Sequence, residues 1–545
     1  MSKERIFIFL GIVVLAFLAY RNCLHVFIPS DNYTLLYFFD KGTVMDFQKE
    51  KLNFSPYFFS FPVVYVLYKL FGISSVCWVS TSILLHAVNA FLVYLIAERI
   101  LKKLILKNIK SIAFFSALLF LISPYQTEAI LWSPCEIPTT LLVTALTLLC
   151  LWMLLKYFEL PKKVTLFFAH LFFLLAVFSH ESAFILPAIV FVLFLVYKKT
   201  GSTELSIVQI FNRILFPQAV ILFMYMIASK ILFGGWLWHG GNLQIRFSFY
   251  SLSGTALKYI AKFLLLYRYL PLQSVDEMMR NIFNKPTVII IFFLLIFLLI
   301  AMGFSLLTRK NKRTGLLLLA FFSCFLISLL PVLPLDSSFM KYIYPDRYGY
   351  LPSVFFYIFF TSSIVFLFKK IAIPFLAGYA FLCWLLLMQT ISVWTETNAY
   401  CTRLAENYKP FLKYDKVYVL DLPAYYKGIS AFRCGFPETI FFNYNLPPEK
   451  ISVITGSYYE HPADSITSAC ILEKRIEVKG NLRSTPYFST RGGWAKSYQT
   501  EECIVNFDSM GCAMLSYLKK IFRQIRHSFT LRAPAGKKLT DFTIF

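Results

Sequence analysis

Charge is what this chain has least of. Only 15% of its 545 residues are Asp, Glu, Lys or Arg, against about a quarter in an ordinary soluble domain. Acids are scarcer than bases, 29 to 53, for a formal net charge of +24. With 58% hydrophobic residues and a mean hydropathy of +0.64, water is not its main solvent. The eleven cysteines include no CxxC pair and no Cys/His metal spacing, which leaves zinc-ribbon and thioredoxin-like readings without support. No DNA- or RNA-binding motif accompanies the positive charge, so nucleic acid is not an expected partner. The first apolar stretch, residues 6–27, has no small-residue cleavage site before Pro29 and Ser30 and reads as a retained anchor.

Long hydrophobic runs stand where charge is missing. A helix needs about 20 mainly apolar residues to cross a bilayer, because lipid cannot satisfy its backbone groups. The runs predict spanning helices near residues 6–27, 76–97, 111–123, 138–155, 164–179, 182–197, 214–233, 286–307, 315–333, 351–368 and 371–392, about eleven in all. Every second connection is basic: Lys3 and Arg5; Arg99, Lys102, Lys103, Lys107 and Lys110; Lys162 and Lys163; Lys198, Lys199 and Arg213; Arg309, Lys310, Lys312 and Arg313; Lys369 and Lys370. The positive-inside rule puts these and the N-terminus in the cytoplasm, and an odd number of spans puts the C-terminus outside. The opposite face then carries the long connections 29–75, 123–138, 234–285 and 334–350, and the tight Ser179-His180-Glu181 link. Residues 54–71 are apolar but interrupted by Pro56 and Pro62, which fits a helix lying in the outer interface better than another span.

Beyond Trp394 the apolar runs shorten, and strands are expected at 416–420, 450–455, 470–478 and 504–507. The expected organisation is a polytopic α-helical membrane region over residues 1–398, with its outer loop at 29–75, followed by an α+β or β-rich extracytoplasmic domain over residues 399–545. A basic amphipathic stretch at 518–527 suits lipid headgroups and a solvated helix face equally. Cys401, Cys434, Cys470, Cys503 and Cys512 fall in the tail, where an oxidising exterior permits pairing without fixing its connectivity.

Ionisable groups at membrane depth are costly, so those gathered on the outer face are candidates for function. Asp31 follows the first span, with Asp40 and Asp46 further on. Glu128 and Glu136 lie in the 123–138 connection, His180 and Glu181 in a hairpin, and Asp346 and Arg347 ahead of the 351–368 span. Each has a bland alternative. Asp31 could cap a helix, His180 and Glu181 could satisfy helix ends, Arg347 could pair with Asp346, and Glu128 could bind amides near Ser123. Concentration on one face is what those alternatives leave unexplained. A carboxylate that deprotonates an acceptor hydroxyl, near Arg and His that stabilise a departing phosphate, suits group transfer from a phospholipid-linked donor.

Five segments carry a family resemblance: Ser30-Asp31-Asn32-Tyr33; Leu84-Leu85-His86-Ala87-Val88-Asn89-Ala90; Ser123-Pro124-Tyr125-Gln126-Thr127-Glu128-Ala129-Ile130-Leu131-Trp132; Leu175-Ala176-Val177-Phe178-Ser179-His180-Glu181-Ser182-Ala183; and Asp346-Arg347-Tyr348-Gly349-Tyr350-Leu351-Pro352-Ser353. In order and sidedness they resemble the glycosyltransferase-C superfamily, especially bacterial relatives of protein O-mannosyltransferases and of transmembrane tetratricopeptide-repeat mannosyltransferases, over residues 1–400. The tail has no 34-residue helical period, so the repeat array of some relatives is missing.

The resemblance implies an inverting transfer at the outer face from a polyprenyl-phosphate-linked sugar, with Asp31 as general base and Arg347 near the donor phosphate. His180 stands where the related motif has Lys, so its phosphate binding would depend on protonation around its reference pKa of about 6.5. Asn32 replaces the second acid of the usual pair, which weakens any two-carboxylate metal role, and no cofactor is required. Glu128, Glu181 and Asp346 are expected to position acceptor or sugar hydroxyls, and Trp236, Trp238 and His239 to stack on sugar or anchor in the interface. The acceptor is a protein, lipid or glycan. Three rivals stay open: a polysaccharide ligase or polymerase using oligosaccharide-lipid donors, a lipid or solute transporter, and an inactive descendant whose tail does the binding. The bacterial-looking motifs favour an inner (plasma) membrane. The sequons at Asn32 and Asn53 carry meaning only in an endoplasmic-reticulum membrane.

Overall fold

The computed structural model describes residues 2–42, 57, 59–102, 109–236, 249–266, 268, 287, 291, 312–334, 346–411, 413, 417–419 and 422–453, together with the strand backbones 456–459, 467–472, 475–479, 497–499, 503–507, 513–517 and 543–544. The expected span at 286–307, Asp46, the Asn53 sequon, Trp238, His239 and the 518–527 stretch lie outside the described residues. The chain forms two compact units, residues 1–27 with 38–395 and residues 28–37 with 396–545.

The first unit is helical. Seven of its segments are long and apolar enough to cross a membrane: Lys3–Cys23, Ser75–Leu101, Ile137–Glu159, Glu181–Lys199, Ile207–Leu232, Lys312–Leu329 and Asp346–Asn407, the last running on beyond the unit. Ile109–Ile122 and Pro124–Leu131, bent by 54°, make an eighth if taken together. The longest segment contains two helices, Tyr350–Phe368 and Ala372–Asn407, parted at Lys369–Ile371, where Lys369 adopts φ +46°. At about 1.5 Å per residue the first of these already matches a bilayer core. Lys163–Val177 and Ser60–Phe71 are shorter apolar helices, so the described residues carry a smaller count of spans than the expected eleven. In Ser60–Phe71, Pro62 sits in the first turn, where its missing N–H costs nothing, and Gly72 at φ +55° ends the helix.

Ser75–Leu101 is the central post, packed on the helices Lys3–Tyr20, Ile109–Ile122 and Val143–Glu159. Its last turn holds Arg99, next to Lys102 at the C-cap, both favourable to the helix dipole. Buried Glu98 there binds Arg5 at 2.9 Å and Lys102 at 2.8 Å. Ser116 and Thr361 hydroxyls meet at 2.6 Å between Ile109–Ile122 and Tyr350–Phe368. A wide π-turn at Ile137–Leu142 opens the next helix directly after Glu136.

The second unit mixes helix and strand. β1 (Val417–Val419) pairs in parallel with β4 (Ile451–Val453), and β2 (Leu422–Tyr426) lies between β3 (Ile429–Ser430) and β5 (Gly456–Tyr459). A six-stranded sheet follows in the order β11 (Thr543–Ile544), β6 (Thr467–Leu472), β7 (Arg475–Lys479), β10 (Ala513–Tyr517), β9 (Cys503–Phe507), β8 (Ser497–Gln499), with antiparallel pairings throughout. The core joins Cys401, Leu404, Val417, Val419, Leu422, Tyr426, Phe432, Phe436 and Ile440. Cys401 and Cys434 are free thiols.

Candidate functional site

Three of the five singled-out segments meet in the first unit. Tyr350 opens its helix with its hydroxyl 2.6 Å from His86 Nδ1 and within 3.2 Å of the Asn89 amide, which donates to it. The Leu121 carbonyl, 3.0 Å from His86 Nε2, can only accept, so Nε2 carries the proton and Nδ1 accepts from Tyr350. Gln126 donates to Ser353 Oγ at 2.8 Å, and the Tyr357 hydroxyl to Ser123 Oγ at 2.8 Å. Such bonds between helices fix the register of the polar residues beside them.

The charges set by this frame form two clusters. Arg347 donates from its backbone N–H to Glu128 Oε2 at 2.8 Å and from Nη1 to Oε1 at 2.5 Å, while its Nε lies 3.2 Å from Glu136. Its guanidinium lies 4.6 Å from the ring centroids of both Trp132 and Tyr348. Glu136 also accepts from Thr139 at 3.0 Å and Thr140 at 2.5 Å. Asp346 has the opposite setting. It is fully buried, takes Arg268 Nη1 on Oδ2 at 2.7 Å, and holds Lys262 Nζ and Arg268 Nη2 on Oδ1. Among the described residues the contacts of Arg347 thus run to Glu128 and Glu136, and those of Asp346 to Lys262 and Arg268.

Lys262 and Arg268 also lie 5.1 Å from the Tyr125 ring centroid. Burial pushes the Lys262 ammonium below its ordinary range, against the pull of Asp346. Gly349 packs against the same helix: a Cβ there would lie 2.8 Å from Phe263 Cζ and 3.0 Å from the Tyr259 ring. Three cations face three carboxylates, arranged as a pole rich in positive charge at Asp346 and a pole rich in negative charge at Arg347.

His180 is set in its own turn. Its Nδ1 accepts the Ser182 backbone N–H at 3.1 Å, capping the turn Glu181–Ile185, and its ring stacks 5.8 Å from Tyr57. The backbone donor commits Nδ1 as an acceptor, so the neutral ring carries its N–H on Nε2. Glu181 accepts from the Tyr225 hydroxyl at 3.2 Å. Asp40 accepts from Tyr68 at 3.0 Å, and Trp236 is exposed with Lys230 5.8 Å from its ring.

Asp31 belongs to the second unit. It stands in the first turn of the helix Ser30–Lys41 and is held by the loop after β3: Arg433 Nη2 donates to Oδ2 and Cys434 Sγ to Oδ1, each at 2.5 Å. The Asp31 side chain keeps 26% of its surface exposed. Asn32 is fully buried and its amide donates to the Ile28 carbonyl at 2.8 Å, a position where a carboxylate would face an acceptor. That accounts for the missing second acid.

Sequence reading missed Lys262, Arg268 and Arg433, and met Cys434 only as a tail cysteine open to pairing. The first two fall in the 234–285 connection, where Lys258 and Lys262, four residues apart within Phe249–Leu265, were the available signal. Among the described residues no three His, Cys, Asp or Glu side chains group as a metal site.

A crystal structure of ArnT from Cupriavidus metallidurans bound to undecaprenyl phosphate is similar over 96% of this chain and 99% of that one, at 12% identity and a TM-score of 0.40. No family model matches the chain, and no curated protein matches it.

Proposed function

We propose that this chain is a glycosyltransferase-C enzyme that moves a sugar from a polyprenyl-phosphate donor to an acceptor hydroxyl at the outer face of an inner membrane. The reading carries with it eleven spans, a cytoplasmic N-terminus and an outer C-terminal domain. The observation that supports it most is the joining of residues 84–90, 123–132 and 346–353 through His86, Tyr350, Gln126, Ser353, Glu128 and Arg347. Segments chosen for their resemblance to one enzyme superfamily share one polar frame around buried cations.

In this reaction the acceptor hydroxyl gives its proton to the Asp31 carboxylate, and the freed oxygen pair attacks the anomeric carbon. The bond from that carbon to the phosphate oxygen breaks, its electrons leaving on polyprenyl phosphate. One displacement inverts the anomeric centre. Arg347 and His180 hold the donor phosphate, helped by Lys262 and Arg268 from the positive pole. Glu128 and Glu181 orient sugar or acceptor hydroxyls, and Asp346 acts through the two cations it holds.

Membranes carrying wild type or Asp31→Ala, incubated with radiolabelled undecaprenyl-phosphate monosaccharides and a cell-envelope extract, test it. The expected outcome is label leaving undecaprenyl phosphate from one donor, in wild type only. Transfer undiminished by Asp31→Ala removes the base. No transfer from any donor contradicts the monosaccharide reading and favours an oligosaccharide ligase or a transporter.

A further inference from the structure

Asp31 is bound to a loop that follows it by about four hundred residues, and the loop is built to hold it. Ser30 donates its backbone N–H to the Ala431 carbonyl at 2.9 Å, and the Ser30 and Ser430 hydroxyls meet at 2.9 Å. Gly435 takes φ +82°, and any Cβ on it would run into the Ser30 carbonyl, so the close approach of the two strands of backbone demands glycine. One and two turns along the helix, Tyr33 and Tyr37 pack on Phe442 and Phe441, with ring centroids 5.5 and 5.0 Å apart. The two segments therefore move as one piece, and the carboxylate at its end is gripped by a guanidinium on one oxygen and a thiol on the other.

We infer that Arg433 is a positioning residue for Asp31, with Cys434 completing the grip, so that the base of the proposed transfer is assembled from both ends of the chain. The inference rests on the reading of Asp31 given above. A carboxylate offers about four lone-pair sites, and Arg433 and Cys434 take one on each oxygen. At least one lone pair on each remains for an acceptor proton, and the 26% exposure of the side chain leaves an approach. Without Arg433 the carboxylate can rotate away from the attacking hydroxyl, and a misplacement of about 1 Å costs on the order of 100-fold in rate. Lysine can supply the charge at one point but not the planar fork.

The test uses the full-length protein in detergent or nanodiscs, labelled undecaprenyl-phosphate monosaccharide and envelope extract. Wild type, Asp31→Asn, Arg433→Met and Arg433→Lys are compared. Arg433→Met is expected to lower kcat about 100-fold with donor KM within about twofold. Arg433→Lys is expected to recover about a tenth of the loss, and added guanidinium salt to raise the Met variant severalfold without affecting Asp31→Asn. An Arg433→Met enzyme as active as wild type, beside an inert Asp31→Asn, overturns the inference and leaves the proposed function standing. So does a Met variant that melts earlier and responds to neither lysine nor guanidinium, because Arg433 is then only structural. An Asp31→Asn enzyme as active as wild type overturns the proposed base itself.

Discussion

Asp346 and Asp31 are both carboxylates in direct contact with arginine, yet their settings differ in a way that separates frame from chemistry. Asp346 is fully buried and shared by Lys262 and Arg268, with Arg347, Glu128 and Glu136 alongside in sequence or contact. Among the described residues Asp31 meets one cation and one thiol and keeps a partly open face. A buried charge with full pairing is expensive to disturb and has little left to offer a substrate. A half-open carboxylate contributes little stability and can take a proton.

Substitution sharpens that contrast. Asp346→Asn leaves two buried cations over a neutral amide, and a loss of about 3–5 kcal/mol is expected. Asp31→Asn is expected to cost about 1 kcal/mol or less, since part of its pairing is screened by solvent. Thermal melting of the detergent-solubilised proteins compares the two, and equal losses would erase the distinction. Next in size, Asn32→Asp replaces the amide donor that meets the Ile28 carbonyl with a carboxylate oxygen, at a cost of about 2–3 kcal/mol, so it should melt early instead of creating a second catalytic acid.

Gly435→Ala meets both a left-handed backbone and the Ser30 carbonyl. About 1–3 kcal/mol of destabilisation is expected, and proteolysis should free residues 28–37 from the rest of the second unit sooner than in wild type. The smallest effect concerns Cys434. Burial, then the adjacent Asp31 carboxylate, pushes its thiol well above the ordinary range, so it stays protonated and alkylates slowly at pH 8. Removing the carboxylate leaves the burial in place, and iodoacetamide labelling of Cys434 should rise only about threefold in Asp31→Asn. Labelling at equal rates would mean that the Sγ–H to carboxylate contact has no weight in solution.

The contrast also marks what could be read from the sequence. Apolar periodicity located long apolar helices such as Lys3–Tyr20, Ser75–Leu101, Val143–Glu159 and Ala372–Asn407, because lipid exposure and helix period impose a pattern visible within twenty residues, but not Ser30–Lys41 or Phe249–Leu265. Asp31, Glu128, Asp346 and Arg347 stood out because charge is rare in such a chain. Their partners did not. Arg433 is 402 positions from Asp31, and Arg268 is 78 from Asp346. Such pairings are decided by packing and leave no local signal. Asp346 and Arg347 are neighbours in sequence, yet among the described residues the close contacts run from Arg347 to Glu128 and from Asp346 to Lys262 and Arg268.

The most direct test of the account is the anomeric configuration of the sugar transferred by wild-type protein from a labelled undecaprenyl-phosphate monosaccharide, read by NMR on the recovered product. A single displacement assisted by Asp31 predicts inversion relative to the donor. Retention of configuration, or label that never leaves undecaprenyl phosphate, would contradict it.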